Sequence, residues 1–255
     1  MKKFWKMMLV AVMTLTAVFS FAGCGDDKLV VYTEAGFAPW EYMSGTEIVG
    51  VDVEIGKAIA KELGMEVEFK NVAFDTITEA VKTSPENSIG LAGMTIKTID
   101  GITFSNPYYT SQQYILAKVG TVASANGEAP LTALAGMEVG AQLSTTGHTL
   151  LKSKEDSIGY NITENKKYDN LALMLNADRI DAIVMDELPA KSFLNKYTGL
   201  EVIKITGVDV ESYGVAVASS NTELLEKINK ALEKIGAQQI QDWVDQYTED
   251  ASSQA

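Results

Sequence analysis

The chain has little of the chemistry on which most enzymes depend. Its 255 residues contain one cysteine, one histidine and one arginine, namely Cys24, His148 and Arg179. A single imidazole and a single thiol exclude most zinc sites, thiol catalysis and Ser-His triads, because each of these needs several such groups. No disulfide can form within the chain. We therefore expect no catalytic residue, no metal and no cofactor.

Positive charge is also scarce. Lysine and arginine total 21 against 34 aspartates and glutamates, which gives a formal net charge of −13. An acidic surface without a basic run repels phosphate backbones, so nucleic acid is excluded as a partner, although such a surface also simply keeps a protein soluble. With 46% hydrophobic residues, the chain can bury the core of one large domain or of two ordinary ones.

The first 24 residues form a three-part leader. Residues 1–6 carry three lysines, residues 7–22 are mainly apolar, and residues 21–24 read Phe-Ala-Gly-Cys. A basic start and a short apolar run favour a secretory signal over the alternative of an uncleaved anchor helix. The last four residues resemble the lipobox of bacterial lipoproteins, with Phe21 where that motif usually has leucine. The resemblance implies a signal peptide over 1–23, lipidation of Cys24, a tether over 24–28 and anchoring to the extracytoplasmic face of the cell membrane.

The rest of the chain alternates strand and helix patterns in two series. Strands alternating with helices indicate an α/β fold with mostly parallel sheets. Asp52 is expected to cap a helix that ends at Gly64. The predicted strands cover 29–32, 67–72, 89–92, 137–142 and 180–185, and the predicted helices cover 53–63, 75–82, 146–152, 168–176, 188–197, 221–235 and 238–247.

Two further strand-like segments, 112–118 and 211–218, separate the two series. They indicate that the chain crosses twice between two α/β lobes. We predict one lobe from residues 29–112 plus 214–248, a second lobe from 113–213 that includes the hinge strands, and a disordered acidic tail over 249–255. A ligand is expected in the cleft, because a domain interface supplies a concave site and closure excludes water.

Six segments of the chain form a recurring set of motifs, at 33–41, 50–55, 92–96, 104–109, 142–147 and 181–186. Together they resemble the bacterial solute-binding proteins of family 3, which serve ABC transporters for polar amino acids. The resemblance extends from about residue 28 to residue 247. It implies the type II periplasmic-binding-protein fold, a polar amino acid as ligand, and an ABC permease with its ATPase as partners.

Polar groups at strand and helix ends suit the two charges of an amino acid. Thr145 and Thr146 lie where a strand meets a helix, so their amides and hydroxyls can face an anion, or they can simply cap the helix. Asp186 follows an apolar strand, at the end where α/β sheets bind ligands. The resemblance implies that Asp186 binds the ligand's ammonium, and the alternative is a solvated loop carboxylate.

Three aromatic residues, Phe37, Trp40 and Phe74, are flanked by turn residues and suit a wall that stacks on a ligand. The resemblance implies that Phe37 and Phe74 sandwich the ligand's side chain. Trp40 is equally compatible with a place in the core, because it precedes a strand-like stretch.

Several smaller or polar residues complete the predicted ligand-binding set. The resemblance implies that Glu34 occupies an acidic or polar position that determines specificity, and that Gln142 occupies a position that usually reaches the ligand's side chain. Ala92, Gly93 and Thr95 follow a buried strand, where glycine permits close backbone approach and threonine adds a hydroxyl. Glu34 beside aromatic residues favours a polar or cationic side chain on the ligand, whereas Gln142 would equally suit an amide.

The chain departs from the family at the position of its carboxylate-binding arginine. Relatives carry that arginine on a short helix after the Gly-Met-Thr-Ile segment, but residues 97–102 are shorter than that pattern and contain none. Arg179 lies elsewhere, and Lys97 is the available substitute. Either Lys97 binds the ligand's carboxylate, or the ligand has no free carboxylate. We favour the first, because Asp186 and the threonine pair are retained.

The resulting hypothesis is a lipid-anchored binding protein that closes on a polar amino acid and delivers it to a permease. Two alternatives remain from the sequence. One is a cyclohexadienyl dehydratase-like lyase on the same fold, with Glu34 or Asp186 as general acid, and the other is an extracellular ligand sensor. A substrate with two carboxylates suits a cleft without arginine badly.

Overall fold

The computed structural model describes residues 28–84 and 86–253, so the predicted signal peptide and Cys24 lie outside the described residues. The strands are β1 Lys28–Thr33, β2 Gly36–Phe37, β3 Glu41–Ser44, β4 Glu47–Val49, β5 Glu66–Asn71, β6 Ser88–Gly90, β7 Ile102–Phe104, β8 Tyr109–Ser111, β9 Gln113–Lys118, β10 Glu128–Pro130, β11 Glu138–Gln142, β12 Asn161–Asn165, β13 Ala182–Asp186, β14 Leu200–Thr206, β15 Glu211–Tyr213 and β16 Ala216–Ala218. The helices are α1 Val51–Leu63, α2 Ile77–Thr83, α3 Thr146–Ile158, α4 Tyr168–Asn176, α5 Glu187–Lys196 and α6 Thr222–Ser253, with 3₁₀ turns at Phe74–Thr76 and Leu131–Leu134.

A five-stranded sheet in the order β5-β1-β6-β16-β7 forms the centre of the first lobe. Strand β1 pairs in parallel with β5 and β6, and its Leu29 and Val31 are fully buried. Helix α1 packs against this sheet through Ile55 and Ile59. The periodicity of the sequence thus predicted these strands and this helix correctly.

The start of α1 differs from the prediction. Gly50, not Asp52, is the N-cap residue. Position 50 requires glycine, because a Cβ there would lie 2.2 Å from the carbonyl oxygen of Trp40. Asp52 lies inside the first helical turn and is buried. Its carboxylate accepts hydrogen bonds from the Gly93 amide at 2.7 Å and the Tyr108 hydroxyl at 3.1 Å. The capping role predicted for Asp52 is therefore wrong.

The second lobe is built on a six-stranded sheet in the order β10-β14-β9-β13-β11-β12. Strands β11, β12 and β13 pair in parallel, and helices α3, α4 and α5 accompany them as the sequence predicted. Strand β13 is wholly buried, which matches its continuous apolar run. The carboxyl ends of β11 and β13 carry Gln142 and Asp186.

Two crossings connect the lobes. Strands β8 and β15 pair antiparallel, with Glu211 opposite Ser111 and Tyr213 opposite Tyr109. Directly after each crossing the chain enters the other sheet, as β9 in the second lobe and β16 in the first, and both run antiparallel to their neighbours. Each sheet is therefore mostly parallel and contains one antiparallel strand, which directly follows a crossing between the lobes.

Helix α6 closes the chain and contains a break at Gly236, where φ is 75°. The predicted pair of closing helices, 221–235 and 238–247, corresponds to its two halves. The helix continues to Ser253, so the prediction of a disordered tail is wrong for residues 249–253. Asn195 Nδ2 donates to Ser252 Oγ at 2.9 Å, and this contact with α5 helps to order the end of the helix. Within 28–84 and 86–253, no helix has the length and apolar character needed to span a bilayer.

Candidate functional site

A cavity of about 420 Å³ lies between the two lobes. The sequence-predicted residues that line it come from both lobes. They are Glu34, Phe37, Phe74, Ala92, Gly93, Thr95, Lys97, Gln142, Thr145, Thr146 and Asp186. The structure thus brings together every predicted ligand-binding residue except Trp40. Their contact with a ligand remains a prediction.

Trp40 does not line the cavity. It is fully buried, and its ring makes edge contacts with Tyr109 at 4.5 Å and Tyr213 at 5.1 Å between centroids. A large apolar ring gains more from burial in this aromatic cluster than from exposure in a cleft. Its predicted place on the ligand-binding wall is therefore wrong, and the core alternative is correct.

Phe37 and Phe74, both from the first lobe, are the phenylalanines on the cavity wall, and Phe37 also packs against the second lobe. Its ring stacks on Tyr168 of α4, with centroids 5.8 Å apart and an interplanar angle of 22°. Gly93 makes this arrangement possible, because its φ is 53° and a Cβ there would lie 2.7 Å from the Phe37 ring. The predicted need for a glycine at position 93 therefore has a steric basis.

Asp186 ends β13 and directly precedes α5. It is 5% exposed, and its carboxylate accepts hydrogen bonds from Tyr213 Oη at 2.5 Å and Gln113 Nε2 at 2.8 Å. Burial, and then the charge of Glu211, raise the pKa of Asp186 from 3.8 to about 6. A ligand ammonium beside this carboxylate would stabilise its charged form.

The two threonines at the start of α3 have different partners. Thr145 is the N-cap, because its hydroxyl accepts a hydrogen bond from the His148 amide at 3.1 Å. The capping alternative therefore holds for this side chain. The hydroxyl of Thr146 instead donates to Glu211 Oε2 at 2.7 Å. Both residues nevertheless line the cavity.

Glu211 was not among the predicted ligand-binding residues, yet it accepts both hydrogen bonds of a polar cluster. Thr95 of the first lobe and Thr146 of the second both donate their hydroxyl hydrogen to its Oε2, at 2.6 and 2.7 Å. Lys97 lies nearby and donates to the Ser144 carbonyl at 3.2 Å. Burial lowers the pKa of Lys97, and the charge of Glu211 partly counters that effect. We call Thr95, Thr146 and Glu211 the threonine–glutamate cluster.

A second acidic group contains Glu34 and Glu41. Glu34 is 5% exposed and accepts a weak hydrogen bond from Gln142 Nε2 at 3.4 Å. Glu41, also absent from the predicted set, is 1% exposed and lines the cavity. Burial, then the charges of Asp52 and Glu34, raise the pKa of Glu41 well above its ordinary value. In the sequence, Glu41 directly follows the turn that carries Phe37 and Trp40, and this position was the signal that could have identified it as a cavity residue.

Contacts between described residues connect the lobes around the cavity, so the structure represents a closed cleft. They include the Phe37–Tyr168 stack, the Glu34–Gln142 bond, the Asp75–Lys166 ion pair at 3.3 Å, the Thr95–Thr146 approach at 3.4 Å and the Lys97–Ser144 bond. No group of three or more His, Cys, Asp or Glu side chains in the described ranges is arranged to hold a metal ion.

Comparison with known proteins identifies the family to which the chain belongs. Residues 29–250 match the family model for bacterial extracellular solute-binding proteins, family 3. The chain belongs to this family. The arginine-binding extracellular protein ArtP of Bacillus subtilis is 31% identical over 250 residues, which cover 92% of this chain and 93% of ArtP.

Solved structures agree with that assignment. The amino acid ABC transporter substrate-binding protein AbpA of Streptococcus pneumoniae, bound to L-arginine, superposes with a TM-score of 0.79 at 29% identity, covering 88% of this chain and 95% of AbpA. An ancestral arginine-binding protein bound to arginine gives a TM-score of 0.77 at 33% identity, covering 86% of this chain and 97% of that protein. The predicted type II fold is confirmed. The relatives of this family 3 protein are binding proteins and not enzymes, which removes the lyase alternative.

Proposed function

We propose that this family 3 protein is the extracytoplasmic substrate-binding lipoprotein of an ABC importer. It captures a cationic amino acid, or an amino-acid-like solute, by closure of its two lobes and delivers it to a membrane permease driven by a separate ATPase. The observation that carries the proposal is the closed cavity, which has buried acidic side chains from both lobes, Glu34 and Asp186, on its wall.

The charge of the cavity favours a cation. Among the carboxyls on its wall, Asp75 is paired with Lys166, whereas Glu34 and Asp186 have no cationic partner within hydrogen-bond distance among the described residues. Phe37 and Phe74 add aromatic faces, which attract ammonium and guanidinium groups. Relatives named for binding arginine agree with this choice.

Ligand-driven closure of the cleft follows from the placement of the proposed ligand-binding side chains on different lobes. A ligand that touches Glu34 and Phe37 in the first lobe and Asp186 in the second binds the closed form more tightly than the open form. Ligand binding would therefore shift the population toward closure by that difference in affinity. The permease would then recognise the closed protein.

The lipid anchor rests on residues 1–24, whose basic start, apolar run and final cysteine support export and lipidation at Cys24. In bacterial cells grown with radiolabelled palmitate, the protein should carry the label, and Cys24→Ala should abolish it. A variant that still incorporates palmitate would contradict lipid anchoring at this residue.

Calorimetry of the purified mature protein against the twenty amino acids tests the ligand class. We expect micromolar or tighter binding of a basic amino acid or its derivative and no heat with acidic ones. Uptake of the radiolabelled ligand by cells with and without the gene then separates transport from sensing. Binding without any loss of uptake in the deletion strain would favour the sensor.

A further inference from the structure

The threonine–glutamate cluster contains a carboxylate supplied by the protein itself. Thr95 and Thr146 come from different lobes, and both donate to the same oxygen of Glu211. Two convergent hydroxyls at the cleft are suited to bind a ligand's carboxylate, but here Glu211 already uses both donors. A ligand carboxylate entering this position would also meet the negative charge of Glu211.

Each cationic side chain on the cavity wall has an acidic neighbour. Lys97 donates one hydrogen bond to the Ser144 carbonyl at 3.2 Å, and its positive charge is opposed by that of Glu211. His148 accepts a hydrogen bond from the Ser144 amide through Nδ1, and its Nε2 pairs with Glu164 at 3.0 Å. No other lysine, histidine or arginine lines the cavity in the described part of the chain. A ligand carboxylate would therefore compete with a protein carboxylate for either cation.

Acidic groups, by contrast, are available in two places. Asp186 accepts bonds only from neutral donors, Tyr213 and Gln113. In the second group, Glu41 is 1% exposed and on the cavity wall, and among residues 28–84 and 86–253 no N–H or hydroxyl donor reaches either of its carboxyl oxygens. Its hydrogen-bonding neighbour is the carboxyl of Asp52, so this pair of acids favours a cation that arrives with the ligand. The two acidic groups are separate sites, since no hydrogen bond among the described residues joins Glu34 or Glu41 to Asp186.

We propose that the preferred ligand is a small dication without a free carboxylate, with an amine at one end and an amine or guanidinium at the other. Asp186 binds one cationic end, the Glu34 and Glu41 side chains bind the other, and Phe37 and Phe74 flank the methylene chain between them. Glu211 takes the place of the missing carboxylate. This inference rests on the proposed function and narrows the ligand from a basic amino acid to its carboxylate-free counterpart.

Matched ligand pairs test the inference by calorimetry on the purified mature protein. One pair is L-arginine and agmatine, which is arginine without its carboxyl group, and the other is L-lysine and cadaverine. We expect the carboxylate-free member of at least one pair to bind at least ten-fold more tightly than its amino acid. An amino acid that binds as tightly as its amine, or more tightly, would overturn the inference and leave the proposed function intact. Failure of all four to bind would overturn both.

A Glu211→Gln variant tests the role of the internal carboxylate. Glutamine can still accept from both threonines but carries no charge, so the preference for the amine over the amino acid should fall at least ten-fold. Glu128→Gln is the matched control, because it removes an exposed carboxylate of β10 that pairs with Lys204 at 3.7 Å, and its preference should equal that of the unaltered protein. An unchanged preference in Glu211→Gln would refute the assignment.

Discussion

Asp186→Asn should separate ligand affinity from the stability of the empty protein. Asp186 is the buried carboxylate proposed to bind the ligand's ammonium. Removing one partner of a buried charge pair costs about 2 to 5 kcal/mol, which corresponds to a loss of affinity of roughly thirty-fold to several thousand-fold. The variant's dissociation constant should rise by at least that lower factor in calorimetry with the best ligand of the unaltered protein.

The empty protein should respond in the opposite direction. The pKa of Asp186 rises from 3.8 to about 6, so the native state holds its proton more tightly than the unfolded chain. About two units at 1.36 kcal/mol each make the ionised residue destabilising by about 3 kcal/mol above pH 6, and this penalty fades as the pH falls from 6 toward 4. Asparagine carries no charge, and Gln113 can rotate to offer its Oε1, which has no partner among the described residues.

Urea denaturation at pH 8 and pH 4 measures this difference. At pH 8 the empty Asp186→Asn variant should be more stable than the unaltered protein by up to about 3 kcal/mol, and at pH 4 the two should agree more closely. The control is Asp178→Asn, which neutralises a carboxylate whose side chain is 80% exposed and should change neither affinity nor stability measurably. A variant that is less stable at pH 8, or that keeps its affinity within a few-fold, would refute the reasoning.

Three further predictions concern the same cavity. Phe37→Ala removes the ring that stacks on Tyr168, so we expect ligand affinity to fall at least ten-fold in calorimetry, and an unchanged value would exclude the aromatic wall. Gly93→Ala places a Cβ 2.7 Å from the Phe37 ring at a φ of 53°, so the free energy of unfolding should drop by about 1 to 3 kcal/mol in urea titrations. Burial raises the pKa of Glu41, and a cation bound beside it should lower that pKa again and release protons, so affinity should increase as the pH rises. Calorimetry in buffers of different ionisation heat measures the proton change on binding, and proton uptake instead of release would contradict this prediction.

The sequence predicted most local elements because their signals are local. Apolar periodicity located α1 and α4, and Gly64 ended α1 with a φ of 70°. The Asp52 cap failed because the close approach of Gly50 to the Trp40 backbone is a tertiary constraint that no local pattern reveals. The same limit explains Trp40 itself, whose surroundings are three tyrosines distant in the chain.

The candidate site was predictable wherever a residue ends a strand or starts a helix. Asp186, Gln142 and Thr146 are examples. Glu211 was not predictable, because it lies 116 residues from Thr95 in the chain and reaches it through backbone hydrogen bonds from Ile96 to Ser212 and from Gly214 to Met94. A bridge between Thr95 and Tyr213 strengthens the same approach. Contacts between residues so far apart in the chain depend on which residues of two extended segments pair with each other, and neither composition nor periodicity encodes that pairing.

The closing helix has a practical consequence for anyone who labels this protein. Both halves contact α1 of the first lobe, through Lys234 with Glu62 and Tyr247 with Glu54, whereas the end reaches Asn195 of α5 in the second lobe. Opening the cleft must therefore stretch or release the contact at Ser252. A fluorophore at that position would report lobe motion directly, and a bulky fusion attached there would shift the balance between the open and closed forms before any solute is added.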